Sequence, residues 1–252
     1  MTLIAILMGT LAAGIGSVWL AAALSFGALG RYTQHMLSLA AGALMATAFM
    51  HLLPEAFESQ AGARDLFLVL LVGLVFFFLL DKAELWHHGH AHAHRPAQPE
   101  RSMAGTWAVL AGDSVHCFGD GVLIASAFMA DMRLGVIASL AVLAHEVPHH
   151  MGDLVVLRAG TASRRAALTK VSLAGAVTAI GGLSGYWLVE QLQDYLPFFL
   201  VVASSSFIYV ALADLIPQLQ KRLSARETTA QIAWLMAGIA LVTVVSGLAH
   251  AH

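Results

Sequence analysis

Charged residues are scarce in this chain. Asp, Glu, Lys and Arg make up 11% of its 252 residues, against about 25% in an ordinary soluble domain, and the mean hydropathy reaches +0.77. These values exclude a soluble fold and predict an all-α integral membrane protein. Cysteine is scarcer still. Cys117 stands alone, which excludes an internal disulfide and leaves thiol chemistry silent on compartment. The net charge of −2 gives no ground for a nucleic-acid partner. There is also no polar stretch long enough for a soluble domain. Windows of about 20 apolar residues, the length that crosses a bilayer, fall at 2–24, 34–57, 65–86, 104–130, 133–158, 167–191, 196–219 and 229–249. These eight spans make residues 1–252 a single transmembrane domain. The first span is too long for a secretory signal and has no basic residue before it, so it reads as a retained helix.

The bilayer side of each loop follows from Lys and Arg, which concentrate in cytoplasmic loops. Arg31, Lys82, Arg95, Arg101, Arg158, Arg164, Arg165, Lys170, Lys221, Arg222 and Arg226 fall on one side; only Arg64 and Arg133 fall on the other. With an even number of spans, both termini sit outside. Connections are short except at 87–103, where His87, His88, His90, His92 and His94 precede Arg95, Pro96 and Pro99. This is expected to be a cytoplasmic His-rich loop, a disordered tract that binds metal. Small residues (Gly9, Gly14 and Gly16; Ala40, Ala41 and Gly42; Gly175, Gly181, Gly182 and Gly185) are read as close helix packing in lipid.

Two polar clusters interrupt this apolar background: His116-Cys117-Phe118-Gly119-Asp120-Gly121 in the fourth span and His145-Glu146-Val147-Pro148-His149-His150 in the fifth. An Asp at bilayer depth costs roughly 2.5 to 3.5 kcal/mol on insertion scales, so such groups persist mainly where they serve a substrate or ion. Helical spacing places Asp113, His116, Cys117 and Asp120 on one face, and groups His145 with His149, Glu146 with His149 and His150, and His149 with Asp153. The turn at Asp131-Met132-Arg133 is so tight that the two spans must form a hairpin. Antiparallel partners then put His116 level with residue 147 and Asp120 level with 143 or 144. That layer lies about 20 to 25 Å from the turn at about 1.5 Å per residue, within the hydrocarbon. Imidazole, carboxylate and thiolate together suit Zn²⁺, with Fe²⁺ and Mn²⁺ next and Cd²⁺ worth comparing. Pro148 removes a backbone donor beside the ligands and is expected to kink the helix there.

These motifs resemble those of the ZIP (Zrt-/Irt-like) metal-ion transporters. The first looks like the family's fourth-helix HNxxDG or HNxxEG, and His145 through Asp153 looks like the fifth-helix HExPHExGD of one branch. The resemblance implies a ZIP-type eight-helix bundle that moves divalent metal into the cytoplasm, forms a homodimer and works by an elevator-like movement. It implies metal ligands at His116, Asp120, His145, Glu146 and His149, and an exit-side acid at Asp214. Cys117, His150, Asp113 and Asp153 complete the candidate set. The sequence departs from the pattern where Cys117 replaces Asn, where His150 replaces a frequent Glu, and in the sixth span, which has no acid before Glu190. The expectation is therefore one site, softer than usual. No cofactor is expected; Zn²⁺ is cargo. The compact size suggests a bacterial inner membrane, with the lipid bilayer and divalent ions as the partners.

His145 to His149 also fits HExxH, the zinc-protease motif. An intramembrane metalloprotease is thus the enzyme rival, and a membrane metal sensor the binding-protein rival. Pro148 and the surplus of ligands weigh against hydrolysis, which needs a regular helix and an open coordination position, so the chain is read as a non-enzyme. His51 and Glu55 are possible entrance ligands, the alternative being an interfacial polar end with Pro54 as a helix stop. Met45 and Met50 read as packing. An epitope tag at either terminus should be accessible in intact cells before permeabilisation; accessibility only afterwards would overturn the orientation.

Overall fold

A bilayer offers no water to backbone amides, so a spanning segment must satisfy its own N–H and C=O groups, and apolar runs of this length resolve as helices. The computed structural model describes residues 1–25, 33–89, 103–160, 163–219 and 224–250. Among them are eight helical rods and no strand. We number them α1 (residues 2–25), α2 (33–57), α3 (Ala63–Gly89), α4 (Met103–Ala130), α5 (Met132–Gly160), α6 (Arg164–Gln191), α7 (196–219) and α8 (Ala225–His250). Six of them, α1, α2, α3, α6, α7 and α8, are long and apolar enough to cross a membrane by length and composition. The other two, α4 and α5, are 28 and 29 residues long, and the polar clusters dilute their apolar character. Most of the His-rich tract, residues 90–94 with the rest of the loop to 102, lies outside the described residues.

Local chemistry sets the ends. The Asp131 carboxylate accepts from the backbone N–H groups of Arg133 at 2.8 Å and Leu134 at 3.2 Å, an N-cap that starts α5 one residue after α4 stops. Ser163 caps α6 through Ala166 N–H at 3.1 Å. At the start of α8, Ser224 and Glu227 form a reciprocal capping box: the Glu227 carboxylate accepts from Ser224 N–H at 2.8 Å, and Glu227 N–H reaches the Ser224 hydroxyl at 3.4 Å.

Three rods contain a widened π turn, at Ala12–Gly16, Ala48–Leu52 and Val210–Leu215. Two of these end just before a proline, Pro54 and Pro217, whose missing N–H frees a carbonyl one turn back. Pro54 therefore does not stop its helix, which continues to Phe57. Pro148 lies inside an unbroken α5 with no such turn.

The rods pack most closely in two sets of four: α1, α4, α5 and α6 in one, α2, α3, α7 and α8 in the other. Glycine makes the closest seams. In the first set, Gly121 lies against the Thr178 carbonyl, Gly181 against that of Phe118, and Gly14 and Gly175 against each other; in the second, Gly42 meets the Leu235 carbonyl and Gly238 that of Leu39. Among the described glycines, each close approach to another helix stays within one set. The sets meet where α2 lies along α5 and α7 crosses α4, over a shared core that includes Leu44, Ala48, Ile124, Ala138, Val142 and Phe207.

A side chain at a backbone seam forces the helices apart, at a cost of about 1 to 3 kcal/mol or more. Gly121→Leu and Gly42→Leu should each lower the unfolding temperature in detergent, whereas Gly152→Ala should leave it unchanged, because nothing lies within 4 Å of a Cβ there. Equal effects at all three positions would contradict this packing account.

Candidate metal centre

The α4–α5 hairpin brings the predicted side chains together at the depth its tight turn implies. His116 Nε2 lies 3.4 Å from His145 Nε2. His145 Nε2 lies 3.2 Å from Asp120 Oδ2 and 3.2 Å from Glu146 Oε1, and His116 Nε2 also lies 3.2 Å from Glu146 Oε1. One oxygen of Glu146 thus faces a group made of His116, Asp120 and His145.

The other oxygen faces elsewhere. Glu146 Oε2 lies 3.1 Å from His150 Nε2 and 3.8 Å from Cys117 Sγ. Asp113 Oδ1 lies 3.7 Å from both Cys117 Sγ and His150 Nε2. A third grouping joins His149 Nδ1 to Asp113 Oδ1 at 3.6 Å and to Asp153 Oδ2 at 3.7 Å. In each of the three groups, the possible donor atoms lie within 4.8 Å of one another. Nine of the ten predicted residues therefore converge. The tenth, Asp214, lies in the π turn Val210–Leu215 of α7, and its side chain falls outside the described residues. The missing acid in α6 does not prevent a second group, because α4 and α5 supply one themselves.

Burial decides what this cluster demands. Asp113, Asp120, His145, Glu146 and His150 are all at most 4% exposed. Asp113 Oδ2, Asp120 Oδ2, Glu146 Oε1, His149 Nδ1, His150 Nε2 and Asp153 Oδ2 have no hydrogen-bond partner; their short contacts to one another lack hydrogen-bond alignment. Buried ionisable groups that touch one another without aligned hydrogen bonds are only partly compensated. A divalent cation between the lone pairs would relieve this, and the mixed N, O and S donors fit a borderline transition metal rather than a hard ion that wants oxygen alone.

Outer contacts orient the imidazoles, as in metal sites generally. His145 Nδ1 sits 3.3 Å from the Ala141 carbonyl, a bond that requires the proton on Nδ1 and leaves Nε2 as the ligand atom. Ser17 of α1 holds His150, its hydroxyl lying 2.6 Å from the Gly14 carbonyl and 2.9 Å from His150 Nδ1. From α7, Phe207 sets its ring 6.5 Å from that of His145.

Ser17 and Phe207 escaped the sequence reading. Ser17 carries a signal, a hydroxyl in an apolar span beside Gly14 and Gly16, but nothing local pairs it with residue 150. The entrance candidates lie apart from the cluster on α2. His51 is in the π turn and Glu55 is exposed beyond it. Met45 packs against the core, while Met50 is exposed and receives the Thr243 hydroxyl at 3.9 Å.

The family model described as ZIP Zinc transporter matches residues 82–246, a stretch that contains both clusters. Among curated proteins, the chain is 33% identical over 173 residues to the zinc transporter foi of Drosophila melanogaster, covering 67% of this chain and 24% of the fly protein. It is 27% identical over 272 residues to zinc transporter ZIP13 of Pongo abelii, covering 97% of this chain and 79% of that one. A shorter stretch of 111 residues is 40% identical to human zinc transporter ZIP4, covering 44% of this chain and 17% of ZIP4. The chain thus spans most of ZIP13 but a quarter or less of foi and human ZIP4. These relatives are animal proteins and lend nothing to a bacterial origin. The fold, the paired clusters and this match agree: the chain belongs to the ZIP zinc transporter family.

Proposed function

We propose that the protein carries divalent transition-metal ions, zinc foremost, across a cell membrane into the cytoplasm through the site between α4 and α5. The observation that carries this reading is the convergence of buried carboxylate and imidazole atoms on Glu146, with possible donor atoms within 4.8 Å of one another and several of them without an aligned hydrogen bond. A structural polar pin would be expected to align them. The family match supports a transporter, and the protease reading of His145–His149 gains no support from it.

Exposure supports a direction. Toward the Asp131 turn, the layer is closed by buried Ile124, Ala127, Phe128, Ala138 and Val142. Toward the opposite end, the side chains of His116 and His149 keep 28% and 38% exposure, and Gly152 faces open space. The charge bias supports a cytoplasmic placement of that end, which would make this state open inward. Metal would leave past Asp214 toward the His-rich loop, where neutral imidazoles bind reversibly near pH 7.

The two packing sets fit an elevator. Glycine seams weld α1, α4, α5 and α6 into one body that bears every described ligand of the cluster. Among the described glycines, none makes such a seam between that body and α2, α3, α7 or α8. The ligand body would move against this scaffold, with Phe207 as part of the barrier it passes. The reading includes a homodimer and a bacterial inner membrane, both carried from the sequence.

Full-length protein in sealed vesicles should take up Zn²⁺, and Glu146→Gln should reduce that uptake by about tenfold or more, since losing even outer-shell partners of a metal site costs about 10- to 100-fold. Intact metal binding with no flux under any gradient would favour a sensor. Normal Zn²⁺ binding in Glu146→Gln with loss of cleavage of a membrane substrate would favour the protease.

A further inference from the structure

We propose that Ser17, turned toward α5 by the widened turn Ala12–Gly16 of α1, is a positioning residue of the transport site that fixes the His150 ring and, through it, the Glu146 carboxylate. The inference rests on the transport-site reading and extends it to a helix that supplies none of the clustered side chains.

The course of α1 explains how a hydroxyl comes to lie there. Up to Leu11 the helix packs chiefly on α6, and from Ser17 onward chiefly on α5, where Val18, Ala21 and Ala22 join Val147, Met151 and Leu154 in one buried cluster. The π turn Ala12–Gly16 lies between the two halves. Such a turn holds about one residue more than an α turn, so it sets the helix beyond it back by the angle of one residue, about 100°. With the first half fixed and the turn unwidened, the direction that Ser17 now takes would fall to Gly16, which has no side chain to offer. Gly14 seats the widened turn, because without a Cβ it lies directly against Gly175 and Thr178 of α6.

Ser17 and His150 are both fully buried. The Ser17 hydroxyl lies 2.6 Å from the Gly14 carbonyl and 2.9 Å from His150 Nδ1, so the widened turn anchors the hydroxyl and the hydroxyl anchors the ring. At the far edge of that ring, Nε2 lies 3.1 Å from Glu146 Oε2. Contacts from Gly14 through Ser17 and His150 to Glu146 thus run from α1 into the middle of the ligand layer. A ring held at one nitrogen is already ordered before an ion arrives. Without that support the cost of ordering it falls on ion binding.

The Zn²⁺ affinity of the full chain in detergent, measured by competition with a chromogenic chelator, tests this through a double-mutant cycle. Ser17→Ala should weaken Zn²⁺ binding by about tenfold, the lower end of what losing an outer contact costs a metal site, and Ser17→Thr, which keeps the hydroxyl, should restore most of it. In sealed vesicles, Ser17→Ala should raise the KM for Zn²⁺ uptake far more than it lowers the maximal rate. In a His150→Ala background, Ser17→Ala should cost nothing further, because a residue that acts through another is not additive with it. Wild-type affinity in Ser17→Ala, or the same loss with His150 present or absent, would overturn the positioning role while leaving the transport site standing. A wild-type chain that binds Zn²⁺ but moves none would overturn the transport reading, and the binding cycle would still decide the role of Ser17. A folded chain that binds no Zn²⁺ would overturn both.

Discussion

Carboxylates buried at bilayer depth must be neutralised, and the architecture of this protein follows from how that is done. Asp113, Asp120 and Glu146 lie buried in one layer with His145 and His150. They touch one another at 3.1 to 3.2 Å, yet key atoms of the layer lack an aligned hydrogen bond. Such a layer is stable when a cation binds it and unfavourable when none does. The same imbalance that makes it a poor structural element makes it a good place for an ion to stop in transit.

The helices divide according to their part in this layer. α4 and α5 carry the clustered side chains, and the Asp131 cap starts α5 directly after α4 ends. α6 gives no carboxylate but locks α4 through glycine seams, and α1 contributes Ser17 as well as Gly14. In lipid there is no hydrophobic drive between helices, so close backbone contact decides which of them pack most tightly. Among the described glycines, those seams stop at the edge of the set that bears the clustered side chains. Across the boundary lies side-chain packing such as Phe207 against His145.

Much of this was legible in the sequence, for a physical reason. Apolar runs have one folded solution in a bilayer, so the eight helices follow from hydropathy, and helix periodicity with a short turn is enough to pair His116 with His145 and Glu146. Features that depend on long-range contact were not legible. Nothing near Ser17 announces a partner 133 residues away, and the second group around Glu146 appears only when α4 and α5 are set face to face. The π turns illustrate the middle ground. Pro54 and Pro217 mark carbonyls that need relief, but whether the chain stops or widens depends on its surroundings, and at Pro54 it widens and continues. Pro148 marked the ligand helix correctly, yet that helix runs through it unbroken.

The central claim is that the buried layer is completed by a divalent ion. Thermal unfolding of the purified, metal-stripped full-length protein with increasing Zn²⁺ tests it most directly. A ligand that binds only the folded state at about a hundred times its dissociation constant contributes about 2.7 kcal/mol, which for a chain of this size raises the unfolding temperature by about 5 to 10 °C. The account predicts a rise of that order that vanishes on chelation. An unfolding temperature indifferent to Zn²⁺ and to chelator at every concentration would contradict it.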